Sequence, residues 1–402
     1  MSRLTRRGAR ATFLTPLGIH TRVMFVSYLS HTLMVCAALM TIALTIDLWP
    51  QVALLQERGG FLPWEIVRLA VLRLPDLLPP FMPFATFLGV VWSESAFTES
   101  RERMLVWNAG RSPLMCLVPA LLAGLLMGAA LFVIDALARP AAIHVQMAEV
   151  LGREGIRLDR SQSGGHHWIA LPDGLLRAEI GYGPPVTLRT VTVYKLDSQG
   201  HLFEVDTANS ATPGPDNQWQ LRDGHYWRAD FENPGDVLSN AKPSEETEIP
   251  FQTRTVTMAL EPLWLTNLGL SPQYIWMSDL KKLSRADIMA RDVYGYRTRL
   301  QVVFGEPLLA AAMALLGAGL SMLYFAYQTR WQQLIGVLLA GYLAHFASRA
   351  LLLMGEFGYI PSVFAGWLAP VALLLASGGV LLVIQKRRGL GMKLREAPDF
   401  TD

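Results

Sequence analysis

The sequence predicts an α-helical membrane protein with six transmembrane helices, arranged three plus three around an inserted antiparallel β domain of jellyroll or sandwich type. Hydrophobic residues make up 51% of the 402 residues and charged residues only 17%, against about 25% charged in an average soluble protein. The apolar residues are also segregated into six long runs, three on each side of a more polar segment. This distribution excludes an ordinary soluble enzyme and a disordered chain.

Each apolar run is long enough to cross the hydrocarbon core of a bilayer as a helix, which needs about 20 residues. The runs occupy residues 23–49, 66–97, 114–137, 302–326, 334–354 and 363–384. The second run contains Pro75, Pro79, Pro80 and Pro83, which predict either a helix that bends during function or a static kink. The first run is too long for the apolar region of a signal peptide, so we interpret it as a retained span.

Basic residues predict the orientation, because short cytoplasmic loops are enriched in Lys and Arg. They concentrate in the N-terminal segment, in the loops after spans two and four, and in the C-terminal tail, whereas the opposite short loops hold only Arg58. We therefore expect both termini in the cytoplasm and the insert in the periplasm. The predicted domains are residues 1–141 with spans one to three, residues 142–300 with the insert and a helical return, and residues 301–402 with spans four to six and the basic tail.

The insert reads as a β domain in its first part. Stretches rich in β-forming residues occupy 168–171, 175–182, 186–196, 218–231 and 251–260, and turn pairs such as Asp173-Gly174 and Asp223-Gly224 separate them. This spacing is typical of an antiparallel sandwich or jellyroll. After Pro262 the pattern becomes helical and leads back to the membrane.

No recognisable catalytic or metal-binding motif occurs in the sequence. The P-loop pattern G-x-x-x-x-G-K-[ST], H-E-x-x-H and G-x-S-x-G are absent, and His166-His167 has no further ligand at a suitable spacing. Cys36 and Cys116 lie inside apolar runs and offer no disulfide framework. The net charge of +2 is too small for a nucleic-acid-binding protein. We therefore expect no catalytic residue, no metal, no cofactor and no nucleic-acid partner for this chain.

The loop between spans two and three predicts a short cytoplasmic helix near residues 98–110. Met104, Leu105 and Trp107 offer an apolar side, and a group of charged residues that includes Arg101, Glu102 and Arg103 offers a polar one. Gly110 is suited to ending the helix. On composition alone this is a basic surface turn that follows the positive-inside rule.

Several motifs resemble the LptF/LptG family, the permease subunits of the lipopolysaccharide-export ABC transporter. They are Leu74-Pro-Asp76, Pro83, Phe87-Leu-Gly89, Thr98-Glu-Ser-Arg-Glu102, Ala109-Gly-Arg-Ser112 and Gly358-Tyr-Ile-Pro361. The resemblance covers nearly the whole chain and implies six spans with a periplasmic β-jellyroll between the third and the fourth. Ile46-Asp47 and Trp219-Gln-Leu221 look more like the LptG half than the LptF half.

The resemblance also implies partners and a location. In the family, ATP is bound and hydrolysed by a separate ATPase dimer of LptB type, and a second permease of LptF type completes the transmembrane part. An LptC-type periplasmic bridge protein receives the lipopolysaccharide that is extracted from the inner membrane. The family glutamate that docks on the ATPase corresponds to Glu102, and the resemblance places Arg101, Arg103 and Gly110 in the same coupling helix.

Charged residues within the spans are candidates for the lipid headgroup. Arginine forks are suited to phosphate, and charges at membrane depth are costly unless they are paired or face water. We name Arg68, Arg73, Arg349 and Asp47 as candidates, with mutual ion pairing or snorkelling to the interface as the alternative. LptG-type chains tend to carry lysines just after this aspartate, whereas here Leu48-Trp-Pro-Gln51 follows.

Three other functions remain open from the sequence. A permease of another lipid or lipoprotein ABC exporter usually has four spans, with the insert after the first. A membrane-anchored scaffold or sensor needs neither arginines at depth nor a glutamate-bearing loop. A lipid-modifying membrane enzyme needs a catalytic cluster, which the sequence does not offer.

Overall fold

A computed structural model gives the fold, and it describes residues 18–57, 63–108, 110, 112–156, 165–181, 185–215, 217–228, 248–285, 290–325 and 330–395. The basic residues of segment 1–17, Arg58, Ala109 and Arg111 lie outside this description. The chain divides into two compact units, one made of residues 1–142 and 298–402 and the other of Ile143–Arg297.

Helices make up the first unit and also flank the sheet of the second. They are α1 (Ile19–Glu57), α2 (Pro63–Glu99), α3 (Glu102–Asn108), α4 (Pro113–Val133), α5 (Arg139–Ala148), α6 (Pro262–Thr266), α7 (Met277–Leu283), α8 (Ala290–Tyr324), α9 (Trp331–Glu356) and α10 (Ser362–Arg395). A five-residue π-helical segment, Ile134–Ala138, joins α4 to α5. Short helical turns also occupy residues 152–156 and Pro272–Tyr274.

Six of these helical stretches are long and apolar enough to cross a membrane, which confirms the predicted count. They run over Ile19–Gln51, Trp64–Glu99, Pro113–Ala148, Val293–Tyr324, Trp331–Glu356 and Ser362–Lys386, and we number them spans one to six. Span four is the central helix of the unit, because 67% of its most apolar window is buried, against 17% in spans five and six. Span one, with 22% buried, also presents most of its apolar side chains outward.

Small residues allow the central helices to approach closely. Gly124 and Gly128, four residues apart in α4, lie against α8, where an added Cβ on Gly128 would come within 2.3 Å of the Pro307 carbonyl oxygen. Ala310 and Ala311 on the facing surface of α8 are fully buried. This small-residue packing is a standard way for membrane helices to associate, since lipid provides no hydrophobic force to drive them together.

Among its described residues, the second unit has one antiparallel sheet of six strands in sequential order. The strands are β1 (His167–Leu171), β2 (Gly174–Gly181), β3 (Thr187–Leu196), β4 (Leu202–Pro213), β5 (Gln218–Arg228) and β6 (Ile249–Thr257). An inserted antiparallel β domain is therefore confirmed. Its described strands pair as a meander, without the Greek-key crossovers that a jellyroll has.

The sheet buries one face, because alternate residues of a strand point to the same side. Leu176, Leu188, Val193 and Leu221 belong to that face and are buried, and the fully buried Trp219 donates its indole N–H to the carbonyl of Leu260 over 3.1 Å. The sequence identified five of the six strands and missed β4.

Strand β4 carries two acidic residues on the buried face. Glu204 and Asp206 are buried and lie between Lys195 of β3 and Arg254 of β6, with nitrogen–oxygen distances of 2.6–3.3 Å. Burial acts to raise the pKa of Glu204, but the hydrogen bond and charge of Lys195, together with Arg254, outweigh it and leave that pKa lowered. For Asp206 burial dominates, and its pKa is raised.

Candidate functional site

The short helix α3 is bounded by residues with left-handed backbone conformation. Arg101, just before it, has a φ of 60°, and Gly110, just after it, has a φ of 80°. A left-handed conformation costs a residue with a side chain about 1–2 kcal/mol, whereas glycine adopts it freely. The Gly110 amide donates to the Trp107 carbonyl over 3.0 Å, which ends the helix where the sequence predicted.

The consecutive residues Glu102 and Arg103 of α3 have different surroundings. Glu102 is exposed, whereas Arg103 is only 3% exposed and forms a salt bridge with Glu94 of α2. Glu94 is itself 1% exposed and accepts a hydrogen bond from the hydroxyl of Tyr28 in α1. Three helices therefore meet in one buried polar cluster, which we call the Tyr28–Glu94–Arg103 cluster.

The surface of α3 differs from the sequence prediction in two residues. The sequence groups Leu105 with the apolar side of this helix, but Leu105 is 68% exposed and shares the outer surface with Glu102 and Asn108. The sequence groups Arg103 with the charged side, but Arg103 is buried. The residues that pack inward are Val106 and Trp107, against a buried apolar cluster that contains Met24, Val90 and Cys116.

A second group of charges lies at one end of the helical unit. Span three ends there before the insert and span four begins there after it, and the end of span one and the start of span two lie at the same end. We call this the insert end. Arg73 of α2 holds Asp47 of α1 through two parallel hydrogen bonds, with Nε and Nη2 at 2.8 and 2.9 Å from the carboxylate oxygens. The same guanidinium lies 3.1 Å from Asp76, one turn further along α2. Gln51 donates to Asp47 over 2.8 Å.

The ion pairs continue into spans three and four. Arg139 lies 3.2 Å from the carboxylate of Asp76 and 2.6 Å from that of Asp135. Arg299 of α8 reaches the other oxygen of Asp135 at 2.5 Å. The insert-end charge cluster thus alternates in sign through three acids and three arginines, in the order Asp47, Arg73, Asp76, Arg139, Asp135 and Arg299.

Local backbone irregularities position two of these groups. Pro80 has no amide N–H, so the carbonyl of Asp76, four residues earlier, lacks its usual helical partner. Arg139 donates to that carbonyl over 2.8 Å. Asp135 lies in the π-helical segment of span three, a type of irregularity that occurs frequently at functional sites. Despite the four prolines inside it, α2 is one continuous helix from Pro63 to Glu99.

Arg349 of span five forms a separate ion pair. Its Nη1 lies 2.7 Å from Glu306 of span four, and its Nη2 donates to the Pro80 carbonyl over 2.9 Å. A cavity of about 20 Å³ beside this pair is lined by Glu306, Ser348 and Arg349 among others. That volume holds a water molecule but not an acyl chain.

The four predicted headgroup residues therefore have different surroundings. Asp47 and Arg73 are joined in the insert-end charge cluster, Arg349 pairs with Glu306, and Arg68 is exposed on α2. Mutual pairing, the alternative considered from the sequence, describes Arg73 and Arg349. The sequence did not identify Arg299 as a member of the cluster, because it lies before the apolar run of span four. Across the described ranges, no group of three or more His, Cys, Asp or Glu side chains is arranged to hold a metal ion.

Comparison with known proteins identifies the family. The family model for the lipopolysaccharide export system permease LptF/LptG matches residues 22–383, which include all six spans except the outermost turns and the whole β domain. No curated protein sequence matches the chain. The match extends over far more than half of the sequence and agrees with the six helices and the antiparallel insert. The chain belongs to the LptF/LptG family of lipopolysaccharide export permeases and is a multi-pass component of the inner membrane.

Proposed function

We propose that this chain is an LptG-type permease subunit that works with an LptF-type permease and an LptB-type ATPase dimer. In this function it extracts lipopolysaccharide from the inner membrane and passes it to an LptC-type periplasmic bridge protein. Both termini and α3 are then cytoplasmic, and the β domain is periplasmic. The observation that carries the proposal is the family match across six spans and an inserted antiparallel sheet.

The outer surface of α3 is the proposed docking site for the ATPase. Glu102 supplies a carboxylate that an arginine of the ATPase can hold in a charge-assisted hydrogen bond. Leu105 adds an exposed apolar side chain on the same surface, and Asn108 a polar one. Protein interfaces combine an apolar centre with a polar rim, so we include Leu105 in this site together with Glu102.

The lipid headgroup is proposed to bind at the insert end, where a phosphate of the lipid replaces a carboxylate of the protein as the partner of an arginine. Arg73 already holds Asp47 in the two-pronged geometry that a phosphate would also adopt. A phosphate that enters this site must therefore displace the Asp47 carboxylate, whose side chain is 21% exposed. Arg68 is exposed on the same helix and offers a first contact. Arg349 offers a second cation at the same end of the bundle, with Glu306 as the group to be displaced.

Acyl chains require space that this chain does not enclose at Arg349, since the cavity there holds only a water molecule. The apolar outer surfaces of spans one, five and six are the proposed walls of a larger cavity shared with the second permease. On the β domain, β1 and β6 are the outer strands of the sheet formed by the described residues, and strand addition there is the proposed route to the bridge protein.

The test of the ATPase partnership is co-purification from membranes. We expect the tagged chain to bring down an ATPase and a second permease, and Glu102→Ala to lose the ATPase or its activity because the docking carboxylate is gone. Glu99→Ala is the matched control, since Glu99 is also exposed but lies at the end of α2, outside the α3 surface. Wild-type chain without an associated ATPase would contradict the proposal. An equal loss of ATPase association or activity in both variants would contradict Glu102 as the docking residue, but not the association of the chain with an ATPase.

A further inference from the structure

The proposed docking helix α3 is connected to the membrane spans by its backbone and also by the side-chain contacts of the Tyr28–Glu94–Arg103 cluster. Glu102 and Arg103 are consecutive, yet the first faces outward and the second is buried against Glu94. A displacement of Glu102 is therefore passed through one residue to Arg103. From there it reaches α2 through Glu94 and α1 through the Tyr28 hydroxyl.

We propose that Tyr28, Glu94 and Arg103 are positioning residues that carry the movement of α3 into spans one and two during transport. The inference rests on the proposed function, since it requires an ATPase that moves α3. It goes beyond that function by naming the contact through which the movement reaches the spans.

The covalent connections of α3 are poorly suited to this task. At one end α3 joins α2 through the two-residue turn Ser100-Arg101, and Arg101 has a left-handed φ. At the other end Gly110 has a positive φ, and a Cβ added to it would meet no described atom within 4 Å beyond its chain neighbours. Turns of this kind can absorb rotation of the helix between them without moving the spans. Glu94, by contrast, lies well inside α2, more than one turn before its end at Glu99.

Helices α1 and α2 also contact each other directly beside the Tyr28–Glu94–Arg103 cluster. His31 of α1 lies 2.9 Å from the Ser93 hydroxyl of α2 through its Nδ1. One turn further, Gly89 approaches α1 so closely that an added Cβ would lie 2.4 Å from the backbone of Thr32. A pull on Glu94 therefore acts on α1 and α2 together, as one packed pair.

An ion pair buried to this degree is a weak source of stability. Removing two charges from water costs about as much as their attraction returns, and apolar residues of similar volume often replace such a pair without loss. Its low exposure does shield the pair from salt and water, so the attraction stays strong over a short distance. The cluster is thus better suited to fixing the position of α3 against α2 than to stabilising the fold.

The test compares variants in the complete complex of permeases and ATPase in proteoliposomes. Two quantities are measured, the rate of ATP hydrolysis and the amount of lipopolysaccharide released per ATP. For Arg103→Met we expect retained ATPase association and hydrolysis within about twofold of wild type, and about tenfold less lipopolysaccharide released per ATP. Arg330→Met is the matched control, because Arg330 is an exposed cation just before α9 and outside α3, and we expect its ratio to equal that of wild type.

A double variant separates positioning from a purely structural role. Glu94→Gln with Arg103→Met leaves no unpaired buried charge, so its thermal stability in detergent should return toward that of wild type. We expect its lipopolysaccharide-to-ATP ratio to stay as low as that of Arg103→Met, and Arg103→Lys to recover part of the ratio.

Recovery of the ratio in the double variant along with its stability would overturn the inference, since stability alone would then explain the single variant. A wild-type ratio in Arg103→Met would overturn it as well. In both cases the proposed function stands. If the wild-type complex contains no ATPase and releases no lipopolysaccharide, the proposed function fails and the inference fails with it.

Discussion

Arg139 joins two carboxylates from different spans, and its replacement is the most direct perturbation of the insert-end charge cluster. The variant Arg139→Met keeps an unbranched chain of similar length but removes every donor. Three contacts are lost: those to the carboxylates of Asp76 and Asp135 and that to the Asp76 carbonyl. The arginine is 5% exposed, so water cannot fully replace these contacts.

The expected loss of stability depends on the carboxylates and the carbonyl that remain after Arg139 is replaced. Removing one partner of a buried ion pair typically costs about 3–5 kcal/mol, because the remaining charge is left uncompensated. After the replacement, Asp76 still pairs with Arg73 and Asp135 still pairs with Arg299. We therefore take the cost of the uncompensated charges at the lower end of this range, about 3 kcal/mol. The Asp76 carbonyl also loses its donor, at about 1–3 kcal/mol for a buried unsatisfied group. We therefore expect a destabilisation of about 4–6 kcal/mol, a factor on the order of a thousand to a few tens of thousands in the unfolding equilibrium.

The assay is equilibrium unfolding in detergent or bicelles, followed by tryptophan fluorescence, for wild type and variant. Arg330→Met is the control, because Arg330 is exposed just before α9 and surface substitutions usually change stability by less than about 0.5 kcal/mol. A loss in Arg139→Met no larger than that of the control would refute the reasoning that the cluster holds spans two, three and four together.

Three further predictions concern other parts of the molecule. Gly128→Ala should destabilise the helical unit by about 1–3 kcal/mol, because the new Cβ meets the Pro307 carbonyl; unfolding in detergent measures this. Leu105→Ser should lower the affinity for the ATPase several-fold without lowering the melting temperature, because an exposed apolar anchor is lost; titration of the purified permease with ATPase measures it. Glu204→Gln should lower the melting temperature of the β domain at neutral pH, and the difference from wild type should narrow only as the pH falls below about 4, as measured by thermal melts from neutral pH down to about pH 3.

The sign of the pH prediction follows from the lowered pKa of Glu204, which Lys195 and Arg254 maintain against burial. An acid whose pKa is lower in the folded state stabilises the fold above its ordinary pKa, and this contribution is lost as the pH falls through the folded value. A constant difference across the range would contradict the assigned ion pairs. For the glycine, Gly336→Ala is the control, since nothing lies within 4 Å of its added Cβ. Equal stability of the two alanine variants would contradict the close approach of α4 and α8.

The number and extent of the spans could be predicted from the sequence because hydropathy over about 20 residues is a local property. Strand β4 could not. Its buried face carries Glu204 and Asp206, so the alternation of apolar and polar residues that marks a half-buried strand is absent there. Their burial is made possible by Lys195 on the neighbouring strand β3 and by Arg254 on β6, which lies 50 residues from Glu204 in the sequence.

The orientation of side chains on α3 was equally out of reach. A helix of seven residues is too short for its apolar pattern to define an inner surface, and the sequence groups Arg103 only with the other charges of its helix. The burial of Arg103 depends on Glu94 in α2 and on Tyr28 in α1, and neither contact can be predicted from the residues of α3 alone. For the same reason, charges such as Arg73 and Arg349 could be identified as unusual from the sequence, but not assigned to Asp47 and Glu306.

The central claim is tested most directly by reconstituting the chain with its second permease and ATPase in proteoliposomes that contain lipopolysaccharide. The transfer of lipopolysaccharide to a soluble bridge protein is then followed with and without ATP. The account predicts transfer that requires ATP and is lost when this chain is omitted or carries Glu102→Ala, with Glu99→Ala as active as wild type. ATP-independent transfer, or transfer that continues when the chain is omitted, would contradict it.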